Sequence, residues 1–224
     1  MLFRSMRFRA GDAVNTAIGQ GDTVVTPLQM AMAYAAIANG GKVFEPRIVK
    51  AIMNPDGTLA ESINSKVKST LPISENTLKY IQKSLVGVTT SGTGAAPFIG
   101  FPLSRIPVAS KTGTGEVLGK QSTSWFASYA PANDPKYAIV MMVSQGGTGS
   151  GTSAPSVRRI YEELFGIRGG VIDPSTSILN GGAPNNSLPQ IRKDGLPDYP
   201  EINELLNPTA SPSPTNLVKA DSKQ

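Results

Sequence analysis

The chain has 224 residues, among them 23 glycines and 18 prolines, and a formal net charge of +5. It contains neither cysteine nor histidine, which excludes structural disulfides, Cys/His zinc sites, Cys–His dyads and Ser–His–Asp triads, so a general base must be Lys, Asp, Glu or Tyr. Its basic residues are scattered without aromatic interleaving, which argues against a nucleic-acid role, and no apolar run reaches the ~20 residues of a membrane span.

The length suits one domain with extensions. Residues 1–9 are basic but no apolar stretch follows, so they are not a signal peptide, and residues 1–10 form an irregular start. Residues 11–25 are glycine-rich and polar, which predicts a surface loop around Gly19-Gln20-Gly21-Asp22. A helix follows: Thr26 is its N-cap, Pro27 lies in the first turn and Gln29 closes a capping box. Residues 30–38 are apolar nearly all round, so this helix is expected to be deeply buried, and Asn39-Gly40-Gly41 ends it in a left-handed cap.

Residues 47–53 read as a strand leading into a tight turn at Asn54-Pro55-Asp56-Gly57, and residues 61–70 as polar and irregular. Ser74 caps a second helix with Leu78, Ile81, Leu85 and Val88 on one face, broken at residues 89–94. Three strands are predicted at residues 106–111, 124–129 and 137–144. The turn at residues 131–135 joins the last two, so the three form an antiparallel meander. A glycine loop at residues 146–151 precedes a third helix with Val157, Ile160, Tyr161 and Leu164 on one face, stopped by Gly166. Helices before and after antiparallel strands give an α+β domain with an antiparallel sheet packed by helices, over residues 11–168. From about Val171 Pro, Ser, Asn, Asp and Gly dominate, and residues 169–224 are expected to be a mostly disordered tail.

The stretch that carries chemistry is Lys111-Thr112-Gly113-Thr114 at the end of an apolar, β-favouring run. A lysine, two hydroxyls and a bare glycine on a strand edge suit an anionic, peptide-like ligand. The lysine supplies charge, the threonines donate, and the glycine admits close approach.

K-T-G is one of three motifs shared by penicillin-binding proteins and serine β-lactamases. Upstream lie Gly21-Asp22 with Thr26-Pro27-Leu28-Gln29 and Ala38-Asn39-Gly40-Gly41, and downstream Ser124-Trp125-Phe126-Ala127-Ser128-Tyr129. With these, residues 11–166 resemble the transpeptidase domain of class B penicillin-binding proteins, of the elongation type called penicillin-binding protein 2. The resemblance implies a partial penicillin-binding-protein/serine β-lactamase-like fold. It also implies a serine enzyme that cross-links peptidoglycan through an acyl-enzyme, on stem peptides ending in D-Ala-D-Ala, and that β-lactams trap. By the same resemblance Lys111 supplies positive charge to the serine side of the site. Thr112 and Thr114 bind the terminal carboxylate, Gly113 keeps the strand edge bare, and the Thr114 N–H forms half of an oxyanion hole. Such a donor contributes about 3 kcal/mol in acyl transfer. Trp125, the only tryptophan, is expected to anchor the core. The family uses no metal or organic cofactor. It works with other cell-wall synthesis proteins at the extracytoplasmic face of the cell membrane, held by an anchor expected upstream of this chain.

The chain departs from the family at two motifs. Ser65-Lys66-Val67-Lys68 matches S-x-x-K as a string, and Ser62-Ile63-Asn64 and Ser74-Glu75-Asn76 match S-x-N. None is assigned that role. A nucleophile needs the buried start of an apolar helix, where desolvation lowers the lysine pKa, and residues 61–70 are polar. In the family both motifs also precede the G-Q-G-D segment. The nucleophile, its lysine and the proton relay are therefore expected upstream of Met1, and this chain alone is expected to be inactive. A truncated remnant acting only through protein contacts is the alternative; a β-lactamase-like hydrolase is disfavoured by the G-Q-G-D to A-N-G-G segment. Gly113–Ser122 departs from a P-loop at Thr114 and Gln121. Gly149–Ala154 lacks the second strand and acidic residue of a dinucleotide site.

Overall fold

The computed structural model describes residues 9–21 and 23–182. Helix α1 (Ala10–Ala17) occupies part of the expected loop. Its start is fixed locally, because the backbone N–H of Arg9 donates to Asp12 Oδ2 at 2.7 Å. Helix α2 (Pro27–Ala38) begins as predicted: Thr26 Oγ1 accepts from the Gln29 N–H, and Gln29 Oε1 accepts from the Thr26 N–H. Only Tyr34 and Ala36 of α2 are buried, and Leu28 remains 57% exposed. The deep burial expected for α2 is thus confined to the flank that meets the sheet. Gly40 (φ 88) and Gly41 (φ 99) turn the chain out of the helix, a conformation without steric cost only for glycine.

Strand β1 (Lys42–Phe44) was not anticipated, and β2 (Ala51–Met53) is shorter than residues 47–53. Residues 61–70, read as irregular, contribute to β3 (Leu59–Ser62) and supply β4 (Val67–Thr70). β1 pairs with β4 and β2 with β3, both antiparallel. Every residue of β3 and β4 is exposed, so these ladders rest on backbone pairing and lack the apolar alternation that marks a half-buried strand.

Ser74 caps α3 (Glu75–Thr90) by accepting from the Thr77 N–H. Leu78 is buried, and Leu85 and Val86 pack on the core cluster of Tyr34, Ala127 and Tyr129. Next come β5 (Ala109–Gly115), β6 (Thr123–Ala130) and β7 (Tyr137–Val143), an antiparallel sheet in the order β5-β6-β7. The predicted meander is present, but β5 begins three residues later than expected and runs through the whole K-T-G sequence. A π-helical turn (Gly149–Ser153) leads into α4 (Ala154–Phe165), which Gly166 ends in the left-handed conformation (φ 65). Val157, Tyr161 and Leu164 of the predicted face pack inward, but Ile160 is 37% exposed and Arg158 is buried in its place.

The sheet is covered on both sides. Phe126, Val157, Tyr161 and Ile167 share one core, with Ile139, Met141 and Leu164 against it. On the opposite face α2 and α3 cover Ala109, Ala127 and Tyr129. Each fully buried aromatic or aliphatic side chain of these layers contributes about 1.5–3 kcal/mol. Two hydroxyl pairs tie the sheet to the α4 side, Ser128 Oγ with Tyr161 OH at 2.9 Å and Ser124 Oγ with Ser153 Oγ at 2.7 Å. Trp125 lies outside both clusters and is only half-buried. Its neighbours Ser124 and Phe126 take the buried face, so the alternation of the strand turns the indole the other way.

The chain remains ordered past residue 169. β8 (Ile167–Arg168) pairs with β9 (Val171–Ile172), and Ile172 packs on the core. Residues 169–182 of the expected tail thus carry structure; residues 1–8, Asp22 and residues 183–224 lie outside the described residues.

Burial leaves a titration signature. It pushes the phenols of Tyr34 and Tyr129 up to about 12, and Tyr129 adds a Coulombic contribution at Tyr34. Unfolded tyrosine ionises near pH 10. The raised folded values therefore leave stability intact below about pH 10 and remove it as pH rises towards 12. Urea midpoints should fall through that window, and Tyr129→Phe should make the fall shallower. An identical slope in the variant would show that Tyr129 does not carry the effect.

Candidate active site

β5 is an edge strand, bonded to β6 in unbroken register from Ala109↔Tyr129 to Gly115↔Thr123. In an antiparallel edge strand alternate residues turn both backbone groups away from the neighbour. On β5 those are the even-numbered residues. The Val108 carbonyl accepts from Thr89 Oγ1 at 2.7 Å, the Thr112 carbonyl from Lys111 Nζ at 2.8 Å and the Thr114 carbonyl from Gln20 Nε2 at 2.9 Å. The edge is thus closed at its start by α3 and at its end by Gln20; between them the Thr112 carbonyl is met by the Lys111 side chain rather than by another strand. A peptide can add to such an edge as a further strand.

Lys111 and Thr114 are exposed and Thr112 is half-buried. Thr112 Oγ1 is 2.6 Å from Thr93 Oγ1, in the connection that follows α3. When Thr93 donates, the Thr112 hydroxyl proton is free for an external acceptor. Lys111, Thr112 and Thr114 therefore bring one cation, two hydroxyls and one backbone N–H to a single strand edge, a set suited to a carboxylate beside an amide carbonyl.

Gly113 has a second reason to be glycine. A Cβ there would stand 3.0 Å from Trp125 Cβ. On the α4 side of the sheet Gly149 packs so closely that a Cβ on it would meet Trp125 O, Gly113 O at 2.6 Å and Gly113 N at 2.8 Å. The Thr148 carbonyl accepts from Ser124 Oγ at 2.8 Å and fixes this contact.

The rejected serines stand apart from the site. Ser65 is exposed and precedes β4, which carries the exposed Lys68, so neither has the buried helix start that a nucleophile–base pair needs. Ser62 ends β3, and Ser74 Oγ is engaged as the cap of α3. Sequence reasoning did not single out Gln20, Thr93 or Gly149 as site residues. Among the described residues no group of His, Cys, Asp and Glu could hold a metal ion. No helix among them is long and apolar enough to cross a membrane.

The penicillin binding protein transpeptidase domain matches residues 7–162. Peptidoglycan D,D-transpeptidase MrdA of Haemophilus influenzae is 27% identical over 223 residues, covering 88% of this chain and 30% of that protein. Penicillin-binding protein H of Bacillus subtilis is 36% identical over 148 residues, covering 59% of this chain and 20% of that one. Among solved structures, the imipenem acyl-enzyme complex of penicillin-binding protein A from M. tuberculosis superposes with a TM-score of 0.57 at 29% identity. The match covers 66% of this chain and 32% of that one. The chain spans about a third or less of the length of each of these relatives.

Proposed function

As the chain belongs to the penicillin-binding protein transpeptidase family, we propose that it supplies the K-T-G wall of a class B peptidoglycan D,D-transpeptidase site. The acyl donor, a stem peptide ending in D-Ala-D-Ala, lies along the outer edge of β5. Its carboxylate meets the hydroxyls of Thr112 and Thr114, with Lys111 supplying charge. The Thr114 N–H polarises the carbonyl under attack, as half of an oxyanion hole. A serine from a segment outside residues 1–224 attacks that carbonyl and the terminal D-Ala leaves as the amine. The ester then passes to an amine on a second stem peptide. A β-lactam enters by the same carboxylate and carbonyl contacts and stops at the acyl-enzyme. In this reading the site works at the extracytoplasmic face of the cell membrane beside other cell-wall synthesis proteins, and residues 1–224 alone do not turn over.

The observation that carries the reading is the placement of Lys111, Thr112 and Thr114 on one edge strand that has no further strand on its outer side among the described residues. A non-catalytic role through protein contacts is favoured by one other observation. Val14, Ile18, Val24 and Leu28 are 66%, 71%, 66% and 57% exposed, an apolar surface that a further protein segment could cover.

Titration of the ¹⁵N-labelled chain with an N-acetylated tripeptide ending in D-Ala-D-Ala separates the two. The transpeptidase reading predicts amide shifts centred on residues 111–115 and Thr93. It also predicts that Lys111→Gln weakens binding about tenfold, the loss of one charge-assisted hydrogen bond. Shifts confined to α1 and α2, or unchanged affinity in the variant, would contradict it.

A further inference from the structure

Gln20 ends the outer edge of β5 in a particular way. Its Nε2 donates to the Thr114 carbonyl at 2.9 Å, and its Oε1 accepts from the Glu116 N–H at 3.4 Å. These partners lie 94 and 96 positions away in the sequence. A primary amide offering one donor and one acceptor to successive outward groups of an edge strand occupies two sites that backbone N–H and C=O groups of an added strand would use. The loop is built to deliver it. Gly19 (φ 76) and Gly21 (φ 93) flank Gln20 with left-handed backbone, and the Gln20 N–H donates to Asn15 O at 2.8 Å just beyond α1. The G-Q-G sequence thus bends the chain so that one side chain reaches across to the strand.

We propose that Gln20 is a displaceable cap on the substrate edge, a built-in stand-in for backbone groups of the acyl donor. The inference rests on the reading that a peptide pairs with β5. In the free protein Gln20 satisfies Thr114 O and Glu116 N–H, while the Lys111 ammonium satisfies Thr112 O. An extended donor replaces both internal partners with its own N–H and C=O groups. Part of its pairing energy is cancelled by the bonds that Gln20 gives up, so Gln20 sets how tightly an extended peptide is held. A residue that merely braced the strand would have the opposite effect, because its removal would loosen the edge and weaken binding.

The test titrates ¹⁵N-labelled full chains of the native sequence, Gln20→Ala and Gln20→Glu with the same acetylated D-Ala-D-Ala tripeptide. Signals from Phe126, Val157 and Tyr161 report on folding. Gln20→Ala is expected to bind about five- to tenfold tighter, the equivalent of one modest hydrogen bond no longer displaced. Gln20→Glu keeps the acceptor for Glu116 N–H but cannot donate to Thr114 O, and should fall in between. In the native chain, the Gln20 side-chain NH2 signals should move at saturation to the position of a free amide. Equal or weaker binding by Gln20→Ala, or Gln20 signals that stay fixed at saturation, would overturn the cap while leaving the transpeptidase reading intact. Absence of binding by all three chains would overturn both.

Discussion

Gly149→Ala is expected to lower unfolding stability by about 2–3 kcal/mol, the range for forcing extra atoms into a packed region, and to displace the K-T-G segment. Gly149 lacks a positive φ, so alanine meets no backbone objection there; the objection is contact. The added methyl would press on Trp125 O, Gly113 O and Gly113 N, all main-chain atoms of the β5–β6 ladder. No rotamer change relieves a clash with backbone, so either the turn before α4 lifts or the ladder at Gly113 opens. Opening the ladder moves Thr112 and Thr114, which flank the clash. Gly87→Ala is the control. It sits inside α3 with nothing within 4 Å of a built Cβ, and alanine there should stabilise by about 0.5–1 kcal/mol. Urea unfolding of the two variants, with amide shifts over residues 111–115, checks the pair. A Gly149→Ala protein as stable as Gly87→Ala would refute the contact.

Arg158→Met should cost about 3 kcal/mol, as expected when one partner of a buried ion pair is removed. Arg158 is 4% exposed. Its Nε donates to Glu162 Oε1 at 2.7 Å, and its Nη1 to Pro97 O at 3.1 Å and Ile99 O at 3.0 Å. One guanidinium thus ties α4 to the turn that carries Phe98 into the core and that follows Thr93. Methionine fills much of the volume but leaves the Pro97 and Ile99 carbonyls without their donor and removes the Arg158 bond to Glu162. Arg158→Lys keeps the charge but cannot span the fork, and should recover less than half of the loss. Hydrogen exchange should rise over residues 93–101 before the rest of the protein. A loss under 1 kcal/mol, or exchange that rises uniformly, would show that the tie is not needed.

What was legible in the sequence was local. Thr26 with Gln29, Ser74 and Gly166 act within one helical turn of the ends they mark, so each boundary could be read from a few residues. The meander was legible because its β-favouring runs are separated by a proline-rich turn. β3 and β4 were not, because Glu61, Ser62, Lys68 and Ser69 are exposed and show no apolar alternation. α1 was hidden by Gly11, Asp12 and Thr16, weak helix formers whose cost is offset by the Asp12 cap. Trp125 was misplaced because size suggested burial, whereas its position on β6 decided its face. In the site, K-T-G was readable as a string, but its support was not. Gln20 and Thr93 reach Thr114 and Thr112 only through the fold, and Gly149 matters because of backbone 36 residues upstream. The G-Q-G sequence was the available clue, since two glycines around one polar residue mark a side chain presented by a tight bend.

The central claim is that this chain holds the substrate wall and does not hold the nucleophile. Covalent labelling with a fluorescent penicillin, followed by intact mass and peptide mapping, tests it most directly. The 224-residue chain alone should remain unmodified. A version extended upstream to include an S-x-x-K and an S-x-N should take up one label per chain, on a serine outside residues 1–224, and Lys111→Gln should slow that labelling. A penicillin adduct on the 224-residue chain itself, at Ser65 or any other serine, would contradict the account.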